Sequence, residues 1–385
     1  MDHFLSLFQF NLLETIALAS LFVLFLIQLF FYCFFYNKPL KCYKQSRTIE
    51  NNERVKSNMP SVSVIITATD EHENLEQCLP VILNQDYTDY EVIVVNNGLT
   101  DETDMLLKGL KLKYPHLYDT FLPKHSDMKQ SRKKMAVTIG IKAAKKEVLL
   151  FTEADTIPSG DKWIASMMQK MTEDKDVVLG YCSFNKSKKF TNRVARFDNL
   201  LFSLQYMASA LIKKPYTGIY RNVAYRKELF FDNKGFSSFL NYENSDGIFL
   251  NCIMSSENTV VSLSPNSFVS TDLNSIAKWE NLKKYQSKIK RHFRNHRSFS
   301  RIFLLETFSR YLFYIFIALA FIYSVMLEEW GMAIVSVAFL ILKTVVGATI
   351  ISSAANYLFA GKFKASYIIL ELLQPAYSTY LKLRK

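Results

Sequence analysis

Hydrophobic residues crowd the two ends of the chain, while the middle alternates short apolar runs with mixed polar stretches. The first apolar segment runs from about Leu12 to Tyr36 and holds Glu14 and Gln28 but no Lys or Arg. A helix needs about 20 such residues to cross a hydrocarbon core, so this segment is long enough. Two more follow near the carboxyl end, from about Tyr311 to Met326 and from about Gly331 to Ala355. A last run, Ala365 to Leu381, is short and broken by Glu371, Gln374 and Pro375. It reads as an amphipathic helix lying on the cytosolic surface.

Between these ends, apolar strands alternate with helical stretches. Ser61 to Thr67 (SVSVIIT), Glu91 to Asn96 (EVIVVN) and Glu147 to Thr152 (EVLLFT) read as strands. Glu73 to Asn84, Asp101 to Tyr114 and Ser131 to Lys145 read as helices, with Thr100 a candidate N-cap. Continuous apolar strands separated by helices predict an α/β domain with a mostly parallel, Rossmann-like sheet covered on both faces. Ligands of such sheets bind beyond the carboxyl ends of the strands.

Charge orients the ends. Lys38, Lys41, Lys44 and Arg47 follow the first apolar run, and only His3 precedes it. Arg291, Arg294, Arg297 and Arg301 precede the second pair of runs, Lys362 and Lys364 follow it, and the link between carries Glu328 and Glu329. By the positive-inside rule, the three spans agree on one topology, with the middle of the chain in the cytosol. A cleaved signal peptide fits the first run poorly, because no basic stretch precedes it and no small-residue cleavage site follows. Lys343 lies inside the last span, where a charge costs on the order of 3 kcal/mol by insertion scales. It either faces the bundle or snorkels, and no function attaches to it.

The 385 residues carry a formal charge of +12. No nucleic-acid motif accompanies that excess, so anionic lipid headgroups and a diphosphate substrate are the expected targets. The five cysteines, Cys33, Cys42, Cys78, Cys182 and Cys252, form no metal or disulfide pattern and read as free thiols.

Candidate chemistry sits at the strand ends. Glu153 and Asp155 follow the strand EVLLF in the sequence TEADT. Two carboxylates two apart, where strand geometry breaks, are able to approach one point. Such oxygen sites suit Mg²⁺ or Mn²⁺ bridging a substrate diphosphate. Taken alone, the pair is equally a solvated acidic turn.

Its setting narrows the choice. SVIITATDEHENLEQCL, EVIVVNNGLTDET and KKMAVTIGIKAAKKEVLLFTEADTIP occur in that order. They resemble the first strand and nucleotide loop, the second strand, and the helix and strand before the metal motif of inverting family 2 glycosyltransferases. That family has the GT-A fold, and the likeness is strongest to its membrane-bound bacterial members. The resemblance covers roughly Pro60 to Arg294.

By position, the resemblance implies Asp155 as main metal ligand and Glu153, in place of the family's first Asp, as a ribose or metal contact. Thr67, Asp70 and Glu71 match the loop that holds the nucleotide. Asn97 stands where the family usually has an Asp that reads uracil, and Leu99 replaces a small Ser, so a uridine donor is not implied. Asp101 matches a position that caps the next helix. Lys134 matches a basic residue near the diphosphate. In YENSDGIFLN, Asp246 aligns with the base that deprotonates the acceptor, Ser245 replaces the family's Glu, and Glu243 is the alternative base. Gly218 and Asn222, in PYTGIYRNVAYR, match the segment lining the donor-sugar pocket. Arg291 and His292 lie where relatives hold the leaving diphosphate, and they equally form a juxtamembrane basic stretch.

These assignments imply direct displacement, moving a sugar from a nucleotide-sugar to a lipid-linked or polysaccharide acceptor, in a multi-pass protein of the cell inner membrane. A processive polysaccharide synthase is the second reading, weakened by an incomplete Gln-x-x-Arg-Trp motif and few spans. A non-catalytic nucleotide-sugar-binding or scaffolding member is the third, motivated by Asn97, Glu153 and Ser245. The chain divides as an anchor over residues 1–37, a linker over 38–59, a catalytic domain over 60–300, a membrane hairpin over 301–360 and the tail over 361–385.

Overall fold

Val62–Ala68 (β1), Tyr90–Asn96 (β2), Leu117–Phe121 (β3) and Val148–Glu153 (β4) are built largely from apolar residues, many of them β-branched. Each is followed by a helix or a turn that carries the chain back, so the four lie parallel in the order β3-β2-β1-β4. The computed structural model describes residues 10–50, 59–97, 101–122, 132–239, 242, 245–273, 275–296, 299, 301–328 and 330–383.

Beyond β4 the sheet changes character. Val223–Arg226 (β8) pairs antiparallel with β4 and with Val177–Leu179 (β6), and Thr259–Val261 (β9) closes that edge parallel to β6. The result is seven strands in one mostly parallel sheet. A small second sheet joins Thr156–Pro158 (β5), Val269–Thr271 (β10) and Cys182–Phe184 (β7) beside it.

Side chains of β1 alternate between two apolar cores. Val62, Val64 and Ile66 pack with Leu75, Leu79 and Ile82 of the helix His72–Leu83 and with Trp163 and Met167. Ile65 packs the other way, with Ile93, Val95, Val137 and Ile141. Full burial of each such side chain contributes about 1.5–3 kcal/mol, which is why these strands are apolar on both faces.

The second core also holds the helix Phe190–Leu211, which is buried along nearly its whole length. Its polar residues bond to distant elements. Asp198, for example, accepts from Trp279 Nε1 at 3.1 Å, Lys283 Nζ at 2.8 Å and Gln374 Nε2 at 2.8 Å.

Among the described residues, three helices are long and apolar enough to cross a membrane: Leu12–Ser46, Ile302–Leu327 and Trp330–Tyr357. Their polar residues have specific partners. Glu14 closes a capping box with Asn11 at the start of the first helix. Gln28 donates to Ser309 Oγ at 2.8 Å, tying the first helix to the second. A π-helical turn, Phe31–Tyr36, follows, and it turns Phe31, Tyr32, Phe35 and Tyr36 inward together.

These aromatics belong to the same apolar core as the sheet. Tyr36 Oη accepts from Gln205 of the buried helix at 3.2 Å. Tyr43 stacks on Tyr357 with ring centroids 4.3 Å apart, and Tyr357 Oη donates to the Leu263 carbonyl.

The helix Tyr367–Leu383 packs one face on the protein and leaves the other exposed. Glu371 is fully buried, bonded to Lys343 Nζ at 2.5 Å, Tyr32 Oη at 2.6 Å and Tyr314 Oη at 2.7 Å. The carboxylate that interrupts an apolar run in the sequence is the partner that the buried Lys343 requires. Gly347 makes the approach possible, since a Cβ there would come within 2.2 Å of Tyr367 Oη.

Candidate active site

The carboxyl ends of β1, β2 and β4 lie side by side, with Thr67 opposite Glu153 and Ala68 opposite Asn96. Past those ends, the chain brings Glu153, Gly218, Arg221, Asp246, Lys278 and Tyr285 around one cavity of about 290 Å³. Its remaining wall is largely apolar, with Phe184, Phe202, Leu282 and Ile289 prominent.

Glu153 and Asp155 converge. Arg221 Nη2 lies 2.6 Å from Glu153 Oε2 and 3.6 Å from Asp155 Oδ2, so oxygens of both carboxylates approach one cationic nitrogen. Lys278 Nζ bonds the same Asp155 oxygen, and Lys133 Nζ reaches Glu153 Oε1 at 3.1 Å. Burial by itself raises the Glu153 pKa. Arg221 foremost, then Lys133, more than offset it and hold the carboxyl down at about 2.

Asp246 begins the helix Ser245–Ile253 and is buried. Tyr285 Oη donates to its Oδ1 at 3.0 Å. Burial, then the Asp246 charge, push the Tyr285 phenol well above its usual range, so it remains a donor. Oδ2 accepts no hydrogen bond among the described residues, and Lys133 Nζ stands 3.8 Å from it. One carboxylate oxygen is therefore held by the phenol, and the other faces Lys133.

The other sequence-derived candidates fall into distinct places. Thr67 borders a small recess with Lys133, Glu153 and Tyr220. Asp70 adopts a left-handed backbone at φ 53°, and Glu71 accepts from Asn74 at the start of the helix His72–Leu83. Asn97 donates to Thr69 Oγ1 at 3.0 Å, while Arg132 donates to its side-chain oxygen at 3.0 Å and to its carbonyl at 2.8 Å.

Lys134 turns away from the carboxylates to the Phe239 carbonyl at 3.2 Å, and its neighbour Lys133 faces them instead. Asn222 points into the core. It accepts from Trp163 Nε1 at 3.0 Å and donates to the carbonyls of Tyr181 and Ser267 at 2.9 and 2.8 Å. Gly180 leaves room for it, since a Cβ there would sit 2.4 Å from the carboxamide. Arg291 and His292 are exposed just after the helix Ile276–Lys290, where His292 lies against Tyr242. Glu243, the alternative base, lies outside the described residues.

Arg221, Lys278 and Tyr285 were not singled out in the sequence. Arg221 sits one residue before Asn222 in the segment already noted. Lys278 and Tyr285 are seven apart on the helix Ile276–Lys290, a spacing that places both on one face.

Residues 63–232 match the family described as glycosyl transferase family 2. This is the same family that the ordered sequence motifs resemble. The glycosyltransferase AglE of Haloferax volcanii is 28% identical over 177 residues, which is 45% of this chain and 53% of that protein. The chain thus spans about half the length of this curated relative. The mannosyltransferase PcManGT of Pyrobaculum calidifontis, solved in complex with GDP-Man and Mn²⁺, superposes with a TM-score of 0.54. It is 18% identical, and the likeness in fold covers 90% of this chain and 99% of that one. It therefore extends beyond residues 63–232.

The family implies a divalent cation, and the residues present fit one. Among the described residues no group of three or more His, Cys, Asp or Glu could hold a metal ion. Mg²⁺ and Mn²⁺ in nucleotide sites need only one or two carboxylates, with substrate phosphate and water completing the shell. The Arg221 nitrogen already shows that Glu153 and Asp155 aim oxygens at a common cation.

Proposed function

We propose that this chain is a membrane-anchored inverting glycosyltransferase. It moves a sugar from a nucleotide-sugar donor to a lipid-linked or polysaccharide acceptor on the cytosolic side of the membrane. The observation that supports this reading is a cavity lined together by Asp246, Glu153, Arg221 and Lys278, with Asp155 in contact with the last two.

The roles follow from charge and placement. Asp155 and Glu153 would hold Mg²⁺ or Mn²⁺, which when bound neutralises charge on the donor diphosphate. Arg221, Lys278 and Lys133 add cationic groups beside that position. Asp246 takes the acceptor hydroxyl proton as the acceptor oxygen bonds to the sugar anomeric carbon. The bond from that carbon to the diphosphate oxygen breaks, and its electron pair leaves with the nucleoside diphosphate. Tyr285 holds Asp246 in place through the cycle. The donor class is supported by the family and by the GDP-Man that the Pyrobaculum protein binds. Asn97 with Arg132, in place of the usual Asp, argues that the base is not fixed as uracil.

The anchor supports an acceptor held in the membrane, and the basic residues after the first span and around the last two support a cytosolic site. A thermal-shift screen of the purified chain against nucleotide-sugars, with Mn²⁺ and with chelator, tests the reading. Metal-dependent stabilisation and turnover by one donor are expected. Absence of binding and hydrolysis across the panel would sink it.

A further inference from the structure

The carboxylate pair is already crowded with cations. Arg221, Lys278 and Lys133 face Glu153 and Asp155, with Asp246 also 3.8 Å from Lys133, so the carboxylates are already compensated before any metal arrives. A divalent ion entering this cluster meets direct repulsion. The three cations differ in how firmly they are held. The Arg221 side chain is 15% exposed and wedged against both carboxylates. Lys278 is 32% exposed and stands in the first turn of its helix, where Ser275 Oγ accepts from its backbone N–H at 3.2 Å. Its backbone is fixed while its long side chain has a path to solvent. Besides Asp155, its ammonium donates to the Asp272 carbonyl at 3.2 Å, its one further hydrogen bond among the described residues.

We propose that Lys278 is an exchangeable counter-ion of Asp155. It occupies the carboxylate in the donor-free enzyme, yields it to the divalent cation, and then stands beside the incoming diphosphate. The proposal rests on the metal-dependent reading above. It makes metal loading conditional. The ion alone has to displace Lys278, whereas the ion with a diphosphate offers the released ammonium a new anion. Metal and donor therefore bind together, and the empty enzyme holds metal weakly.

Direct Mn²⁺ titration of the full-length chain in detergent, followed by the loss of the free-ion paramagnetic signal and without any nucleotide, tests this. Lys278→Gln tightens Mn²⁺ binding by about tenfold, because the competing charge is gone. Lys278→Arg, which keeps the charge, stays within about twofold of the parent. Adding Asp155→Asn to Lys278→Gln removes the gain. The proposal is overturned if Lys278→Gln binds Mn²⁺ no better than the parent, including the case where neither binds it. It is also overturned if the gain survives Asp155→Asn. The two readings separate cleanly. Metal-dependent turnover of a nucleotide-sugar with no Lys278→Gln effect on Mn²⁺ retires the counter-ion and leaves the transferase. Tighter Mn²⁺ binding without turnover of any donor retires the transferase and leaves the counter-ion.

Discussion

The indole of Trp279 lies flat on the phenol of Tyr377, with ring centroids 4.5 Å apart and planes 5° apart. Trp279 belongs to the helix that carries Lys278 and Tyr285, and Tyr377 belongs to the tail helix. Tyr377 Oη also donates to Glu280 Oε1 at 2.5 Å. The tail thus clamps the outer side of the helix whose inner side reaches Asp155 and Asp246. Tyr377→Ala should cost about 0.5–1.5 kcal/mol from the lost ring pair. It should also lower kcat more than it raises the donor KM. Thermal unfolding beside steady-state kinetics checks both, and unchanged kcat in a folded variant would separate the tail from the site.

Asp246→Asn keeps the shape of the side chain and removes the proton acceptor. Turnover should fall by about 10²–10⁴, the usual worth of a general base, while donor affinity stays within about threefold. Isothermal titration with the donor and a transfer assay give the two numbers. Near-normal turnover would take Asp246 out of the mechanism.

Tyr285→Phe deletes only the hydroxyl that donates to Asp246 Oδ1. One neutral donor to a charged acceptor contributes about 1.5–3 kcal/mol, so a roughly tenfold or greater loss in kcat is expected with the fold retained. Rates of Tyr285→Phe and Asp246→Asn combined should match those of Asp246→Asn alone, because the hydroxyl acts through the carboxylate.

Lys343 and Glu371 are both fully buried. Removing either partner, as Lys343→Met or Glu371→Gln, should destabilise the protein by about 3–5 kcal/mol. The double variant should recover part of that loss, since no unpaired charge remains. Melting temperatures in one detergent decide it. Additive losses would show that the pair is not coupled.

Cys182 lines the cavity that holds Asp246, yet burial pushes its thiol up to about 12. The thiolate is the reactive form, so at pH 8 Cys182 should resist alkylation in the folded enzyme and react on unfolding. Peptide mass spectrometry after iodoacetamide treatment measures this. Rapid labelling of the native protein would contradict the burial.

Much of the parallel half of the sheet is legible in the sequence. β1, β2 and β4 with the helices that follow β1 and β2 and precede β4 lie within about a residue or two of the expected bounds, because each carries a local pattern. The second half hides for two reasons. β5, β6, β7, β9 and β10 are three residues each, too short to show a period. The helix Phe190–Leu211 is buried nearly all round, so Asn192, Arg196, Asp198 and Asn199 break up any apolar stripe, and Arg196 and Asp198 bond to partners far along the chain. The site divides in the same way. Glu153, Asp155 and Asp246 stand in ordered motifs and meet in space. Lys278 and Tyr285 gain their roles across separations of 123 and 39 residues, which no local spacing reveals. Lys133 and Lys134 are adjacent in the sequence, but one helical step of about 100° sends them to different surroundings.

The aromatic turn Phe31–Tyr36 has a consequence for substrate choice. It joins the membrane helices to the sheet through one continuous apolar core, with Tyr36 bonded to Gln205 and Tyr43 stacked on Tyr357. A domain seated this way has no free tether on which to rise or sink. In the membrane-anchored reading proposed above, its cleft would be held at a set height above the lipid headgroups, and the fold would act as a ruler. Acceptors whose reactive hydroxyl reaches that height would then be served, and those carried closer to the bilayer or farther from it would be passed over.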